Sequence, residues 1–261
     1  MILIDTHAHL YLEEFDHDRE TVIQNAIRSG VQHILCPNID STSLSALDEL
    51  CGSYPGLCHP MMGLHPTSVK ENYKTELEII RKRLFDSPDG TYVAVGEIGM
   101  DLYWDKTFIN QQEEAFAIQL EWALAKKLPV VIHSRDSFDE IMGVLQNYNS
   151  LTGVFHCFSG NVEQATQLVE KGYLFGIGGV VTFKNSGLDK VVQAMDLSNL
   201  VLETDSPYLT PVPYRGKRNE SAYISMVAQK ISQLKDIPYA DVCRITTENA
   251  IKLFNLPTSR G

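Results

Sequence analysis

The chain has 261 residues, 44% of them hydrophobic, which is enough for one large core and excludes a disordered polymer. With 22 basic and 33 acidic residues, the formal net charge is −11. No overall field therefore draws the protein to nucleic acid, and a polyanionic substrate would need bound cations and a local basic patch to offset the repulsion.

The elements follow in chain order. Ile2–Ile4 reads as a first strand, followed by a polar helix over Asp16–Ser29 that Gly30 stops. Val31–Pro37 is a second strand, and the next helix is capped by Ser41 or Thr42. Pro60–Leu64 and Tyr92–Gly96 are the third and fourth strands. A long helix over Asn110–Lys127 carries Phe116, Leu120, Ala123 and Leu124 at helical spacing. Pro129–Ile132, Gly153–Phe155, Tyr173–Ile177 and Leu200–Leu202 complete eight strands, and helices over Ser221–Leu234 and Tyr239–Phe254 close the chain. The runs are continuously apolar, as in strands buried on both faces. Eight strand-then-helix units in this length predict a single-domain TIM (β/α)8 barrel over residues 1–261, with a doubly wound open sheet as the competing fold. The tail after Leu256 is expected to fray.

The five cysteines (Cys36, Cys51, Cys58, Cys157 and Cys243) form no C-x-x-C, which favours reduced thiols over a disulfide framework. Cys157, beside His156, has to be weighed as a nucleophile, although a free cysteine is usually a small buried hydrophobe. No charged leader and no apolar run of about 18 residues is present. The expectation is a soluble, cytoplasmic monomer without membrane association.

Residues able to bind metal fall at the ends of these strands. His7 and His9 follow the first strand and, by alternation, share a face. Glu97, His133, His156 and Asp205 end strands four, five, six and eight. In a TIM barrel those ends form one functional face. Four imidazoles and two carboxylates suit two divalent cations, Mg²⁺, Mn²⁺ or Zn²⁺, and are too many for one open site. Glu97, on a central strand, is the candidate bridge between the cations, which lie about 3.5–4 Å apart in such centres. His17 reads as a surface helix residue, and His33 and His59 as structural.

These residues also carry a family resemblance. Asp5-Thr6-His7-Ala8-His9-Leu10 resembles the opening motif of the TatD family of metal-dependent deoxyribonucleases, within the amidohydrolase-like barrels. Gly63–Pro66, Gly96–Asp101, His133–Asp136, His156–Gly160, Glu203–Pro207 and Pro213–Asn219 are similar to its later motifs, in order and over nearly the whole chain. The resemblance implies a TIM barrel, divalent cations and hydrolysis of DNA phosphodiesters. DNA, single-stranded or at ends, is then the expected substrate, and exonucleolytic cleavage by water activated at two cations the expected reaction. A small-molecule or acyl-nucleotide amidohydrolase or esterase on the same centre is the alternative, and a catalytically silent metal scaffold a third reading.

The remaining candidates have roles by position. Asp205 can be both ligand and acceptor of the water proton. His65 can orient the phosphate or protonate the leaving oxygen, or make a structural hydrogen bond. Glu203 points the same way as Asp205 and can hold a ligand histidine. Arg135 can clamp a phosphate. Arg215, Lys217 and Arg218 form the densest basic cluster and precede a helix, which favours phosphate. Tyr103, Trp104 and Tyr208 lie in neighbouring loops, where they can stack on bases or pack the loop.

Overall fold

The computed structural model describes residues 1–103 and 105–258. Trp104, a stacking candidate, and the last three residues of the tail lie outside the described residues. The chain alternates strand and helix: β1 Leu3–Asp5, α1 Arg19–Arg28, β2 Val31–Pro37, α2 Leu44–Ser53, β3 Cys58–Met61, α3 Tyr73–Asp86, β4 Val95–Asp101 and α4 Ile109–Lys126. There follow β5 Val130–Arg135, α5 Phe138–Leu145, β6 Gly153–Phe155, α6 Val162–Glu170, β7 Leu174–Ile177, α7 Leu188–Ala194, β8 Leu200–Leu202, α8 Ile224–Lys235 and α9 Tyr239–Phe254.

All strand pairs are parallel, in ladders β1-β2-β3 and β4-β5-β6-β7-β8. Two seams join the ladders. Met62 N–H donates to Ala94 O (3.2 Å) and Gly96 N–H to Met62 O (3.1 Å) between β3 and β4. Thr6 N–H donates to Leu202 O (3.0 Å), Asp205 N–H to His7 O (2.9 Å) and His9 N–H to Ser206 O (2.8 Å) between β1 and β8. The eight strands therefore close into the expected TIM barrel.

The barrel interior is a stack of layers. Ile4, Leu35, Met61, Ala94, Val131, Val154 and Val201 form one apolar cluster, capped by Ala250, Phe254 and Leu256 of α9 and its exit. A larger cluster, including Phe116, Leu120, Ile132 and Phe155, fills the shell between strands and helices. Side chains two residues further along a strand point the same way. Above Val131, Val154 and Val201 thus stand His133, His156 and Glu203, so the interior layering aims the polar residues into one mouth.

Several boundaries differ from the sequence expectation. The fourth strand is Val95–Asp101 rather than Tyr92–Gly96, so Glu97 lies within it, beside a register irregularity between Val95 and Ile98. Its Gly-rich, polar end hides it from a search for apolar runs. The third strand ends at Met61 instead of Leu64, and β5 runs on through His133 to Arg135. The first helix begins at Arg19, which leaves His17 in an exposed turn, not a helix. Ser43, neither Ser41 nor Thr42, occupies the α2 N-cap position, its hydroxyl accepting from Ile39 and Asp40 N–H. The expected Ser221 helix opens as a 3-10 turn over Ser221–Tyr223.

Candidate metal centre

Glu97 is the hub of the mouth, buried at 2% exposure. Its two oxygens face two different groups. Oε2 lies 3.0 Å from His7 Nε2 and 3.7 Å from His9 Nε2. Oε1 lies 2.7 Å from His156 Nε2, 2.9 Å from His133 Nδ1 and 3.2 Å from His65 Nε2. Asp205 Oδ1 is 3.9 Å from His7 Nε2 and 3.7 Å from His9 Nε2. The ligand atoms gather into three overlapping triads: His7, His9 and Glu97; His7, His156 and Asp205; His65, Glu97 and His133. All six residues expected as ligands are thus brought together, with His65 beside them.

The donor set can be tested for a cation through its hydrogen bonds. Tyr11 O–H donates to Pro37 O at 2.7 Å, so its oxygen accepts from His9 Nδ1–H at 3.0 Å. That leaves a lone pair on His9 Nε2, which faces His7 Nε2 at 3.3 Å and two carboxylates. Asp101 Oδ2 accepts from His133 Nε2–H at 2.9 Å, which leaves the Nδ1 lone pair facing Glu97 Oε1. Acceptors buried against acceptors cost about 1–3 kcal/mol each when nothing lies between them. Protons or divalent cations resolve this, and imidazole with carboxylate is a fitting shell for the latter.

Burial alone would raise the Glu97 pKa, but His156, His65, His7 and His133 outweigh it and hold the pKa well below the carboxylate range. Burial pushes His156 down, and Glu97 and Glu203 overcome it, so its pKa lies well above an ordinary imidazole. His9, where burial and His7 dominate, is pushed well below. Glu97 is thus held as an anion by the histidines around it, the charge state in which a carboxylate can take a cation.

Residues 4–255 match the family described as TatD related DNase. The chain belongs to the TatD family. A relative named as an uncharacterized metal-dependent hydrolase, YabD of Bacillus subtilis, is 36% identical over 98% of this chain and 100% of its own. The crystal structure of YjjV, a TatD homolog from Escherichia coli, superposes with a TM-score of 0.92 at 31% identity, covering 98% of each chain. A TatD family hydrolase from Entamoeba histolytica shares the fold, with a TM-score of 0.83 at 23% identity over 97% of this chain and 98% of its own. The protein is accordingly a metal-dependent hydrolase of the TatD family, and its His, Glu and Asp triads are candidate metal-binding groups.

Three supports of this TatD centre escaped sequence reasoning. Asp101 and Tyr11 fix the His133 and His9 tautomers, as carboxylates and hydroxyls behind metal-binding histidines do. Asp5 ties β1 to the β8 exit, accepting from Thr204 N–H at 2.9 Å and Thr204 Oγ1–H at 2.7 Å. Part of their signal was available: Asp5 and Asp101 lie inside strand-end motifs and Tyr11 directly follows one, each two to four residues from a candidate ligand.

Glu203 is fully buried and stands behind His156, with Oε1 accepting from Cys157 N–H at 2.5 Å and lying 3.7 Å from His156 Nδ1. Gly176 makes room for it, because a Cβ there would sit 1.9 Å from Glu203 Oε2. His65 Nδ1 accepts from Thr67 N–H at 3.1 Å, so Nε2 carries the hydrogen directed at Glu97. The Cys157 thiol is pushed far above its ordinary pKa by burial and by Asp205, Glu203 and Glu97, which removes the thiolate a nucleophile needs.

The cationic candidates separate in space. Arg135 ends β5, with its guanidinium 3.9 Å over the Tyr103 ring. Arg215 lies 4.4 Å over Phe183, and Lys217 is exposed nearby in the chain. Arg218 is held by both oxygens of Asp18, at 2.9 and 2.7 Å, and lies over Phe15, so its fork is engaged as a loop anchor. Tyr208 is 49% exposed, and its ring meets His9 edge-on at 6.3 Å. Four non-glycine residues at the rim, Asp136, Cys157, Asp205 and Leu209, hold positive φ (52°, 45°, 56° and 55°). Such backbone strain persists where surrounding contacts over-determine it, as at functional sites.

Proposed function

We propose that this protein hydrolyses DNA phosphodiester bonds, acting as an exonuclease on single strands or ends with two divalent cations. The observation that carries the reading is the division of Glu97: each of its oxygens faces a separate histidine group, the arrangement a carboxylate shared by two cations requires. The TatD related DNase match supports the substrate class. His7, His9 and Asp205 with Glu97 Oε2 would hold one cation, and His133 and His156 with Glu97 Oε1 the other. When bound, cations of this type lower the pKa of water from about 15.7 to about 7 and neutralise phosphate charge.

The chain's own residues then have distinct tasks. Asp205 accepts the proton of the attacking water. Burial, with Glu97 and Glu203, raises its pKa to about 8, and the positive charge of bound cations lowers it toward a carboxylate at neutral pH. His65, with its Nε2 hydrogen aimed into the mouth, binds the phosphate or protonates the leaving oxygen. Arg135, braced on Tyr103, and Arg215 and Lys217 hold the strand's phosphates. Tyr208, exposed beside His9, offers a face for a base.

The test runs end-labelled single-stranded DNA, a small phosphodiester dye, an acyl ester and an amide in parallel, with Mg²⁺, Mn²⁺ or chelator. Metal-dependent shortening of DNA that Asp205→Asn abolishes is the expected result. Turnover of the ester or amide alone would replace this reading by an amidohydrolase or esterase on the same centre.

A further inference from the structure

The catalytic face is electrically lopsided. On the β5–β6 side, a cavity of about 370 Å³ reaches His156 and is lined by Asp136, Asp139 and Glu140, with no Lys or Arg in its wall. On the β7–β8 side lie two cavities of about 690 and 570 Å³ that share Thr182 and Val212. Lys184 and Arg215 line the first and Lys230 the second, and neither wall contains a carboxylate. In a chain of net charge −11, this is a local inversion of sign. Lys70, Lys74, Lys126 and Arg218 each form an ion pair, whereas no carboxylate pairs with Lys184, Arg215 or Lys230 among the described residues.

The basic wall is built into the site. Lys184 and Arg215 stand on the loops after β7 and β8, the second being the loop that carries Asp205, and Lys230 stands on α8. Val212 N–H donates to Thr182 Oγ1 at 2.9 Å, which clamps one loop to the other. They also touch at Gly179, where a Cβ would sit 2.1 Å from Leu209 O. Arg215 is braced on Phe183, and a guanidinium stacked by its face keeps its N–H edge for phosphate. Val212, 48% exposed, lines both cavities and gives apolar surface between the cations. Cations interleaved with apolar and aromatic surface are what a single strand recognises without regard to sequence.

We propose that this double trough is a distal subsite for single-stranded DNA, with Lys184, Arg215 and Lys230 holding phosphates beyond the scissile one. Beyond the phosphate that Arg135 holds, the strand leaves the metal centre over β7 and β8, away from the acidic wall formed by Asp136, Asp139 and Glu140. The inference rests on the phosphodiesterase reading above and adds the direction of the strand.

The experiment is binding of fluorescein-labelled (dT)12 with phosphorothioate linkages, which resist turnover, to the metal-loaded full chain, followed by anisotropy over a salt series. Each phosphate contact on a single strand contributes about −0.7 to the slope of log K against log salt. Lys184→Ala with Arg215→Ala should reduce the slope magnitude by about 1.4, and Lys230→Ala alone by about 0.7. Asp139→Asn with Glu140→Gln should leave the slope unchanged. Thermal melting of each variant checks the fold. If the metal-loaded wild type shortens DNA while the basic variants keep the wild-type slope, the trough is wrong and the phosphodiesterase reading stands. If the wild type neither binds nor shortens DNA, both fall.

Discussion

Asp101→Asn tests how the second histidine group is set. Asp101 is 3% exposed, and its Oδ2 accepts from His133 Nε2–H at 2.9 Å. Its Oδ1 accepts from Tyr103 N–H at 3.1 Å. An asparagine fits the same space and can keep the Tyr103 bond through its carbonyl, which places its NH₂ against the His133 N–H. Donor then faces donor, so His133 must move its proton to Nδ1, the atom 2.9 Å from Glu97 Oε1. A protonated Nδ1 cannot bind a cation. Losing the carboxylate also removes a leading cause of the raised His133 pKa, which Asp101 and Glu97 maintain against burial. Changes behind metal-binding histidines typically cost 10–100-fold in affinity, or about 1.4–2.7 kcal/mol at 1.36 kcal/mol per tenfold. A competition titration of Mn²⁺ against a fluorescent chelator reads this directly. One of two binding steps should weaken by that factor, and the His7–His9 step should hold. Two unaltered steps would refute the tautomer argument.

Other predictions use different parts of the molecule. Gly176→Ala sets a methyl 1.9 Å from Glu203 Oε2, so it should cost about 1–3 kcal/mol by overpacking and lower metal affinity, read by melting and the same titration. Arg218→Ala breaks a partly exposed pair with Asp18 and should lower unfolding free energy by no more than about 1 kcal/mol, measured in urea. His59, half-buried with Nε2 2.8 Å from His33 Nδ1, has its pKa lowered to about 4 by burial and by His33. The unfolded chain binds this proton more readily than the fold, so the stability it confers is complete above about pH 6.5 and is lost as pH falls toward about 4. After discounting for solvent screening the loss is about 1–2 kcal/mol. His59→Gln should flatten that part of the stability profile, and an unchanged profile would contradict the assignment.

The barrel was legible because parallel strands buried on both faces write themselves as short apolar runs, and each of the eight runs overlaps a strand that formed there, the fourth only at Val95 and Gly96. β4 moved because Gly96, Glu97 and Gly99 interrupt its apolar character, although the motif they belong to marked the site. The candidate ligands were legible because every strand-end residue has a fixed direction: His133 and His156 follow Val131 and Val154 by two. Pairings between distant segments were not. Nothing in Arg218 or Asp18 announces a bond across 200 positions, and the Tyr11 and Asp101 roles depend on which imidazole nitrogen each one meets. The contrast between an acidic cavity and a basic trough likewise exists only once the loops are gathered around one mouth.

The central claim is that Glu97 joins two cation sites, and metal analysis of the reconstituted protein tests it most directly. Wild type, freed of loose ions, should retain two equivalents of Mn²⁺ or Zn²⁺ per chain, and Glu97→Ala should retain one at most and lose DNA hydrolysis. One equivalent in a fully active wild type, or two in Glu97→Ala, would contradict it.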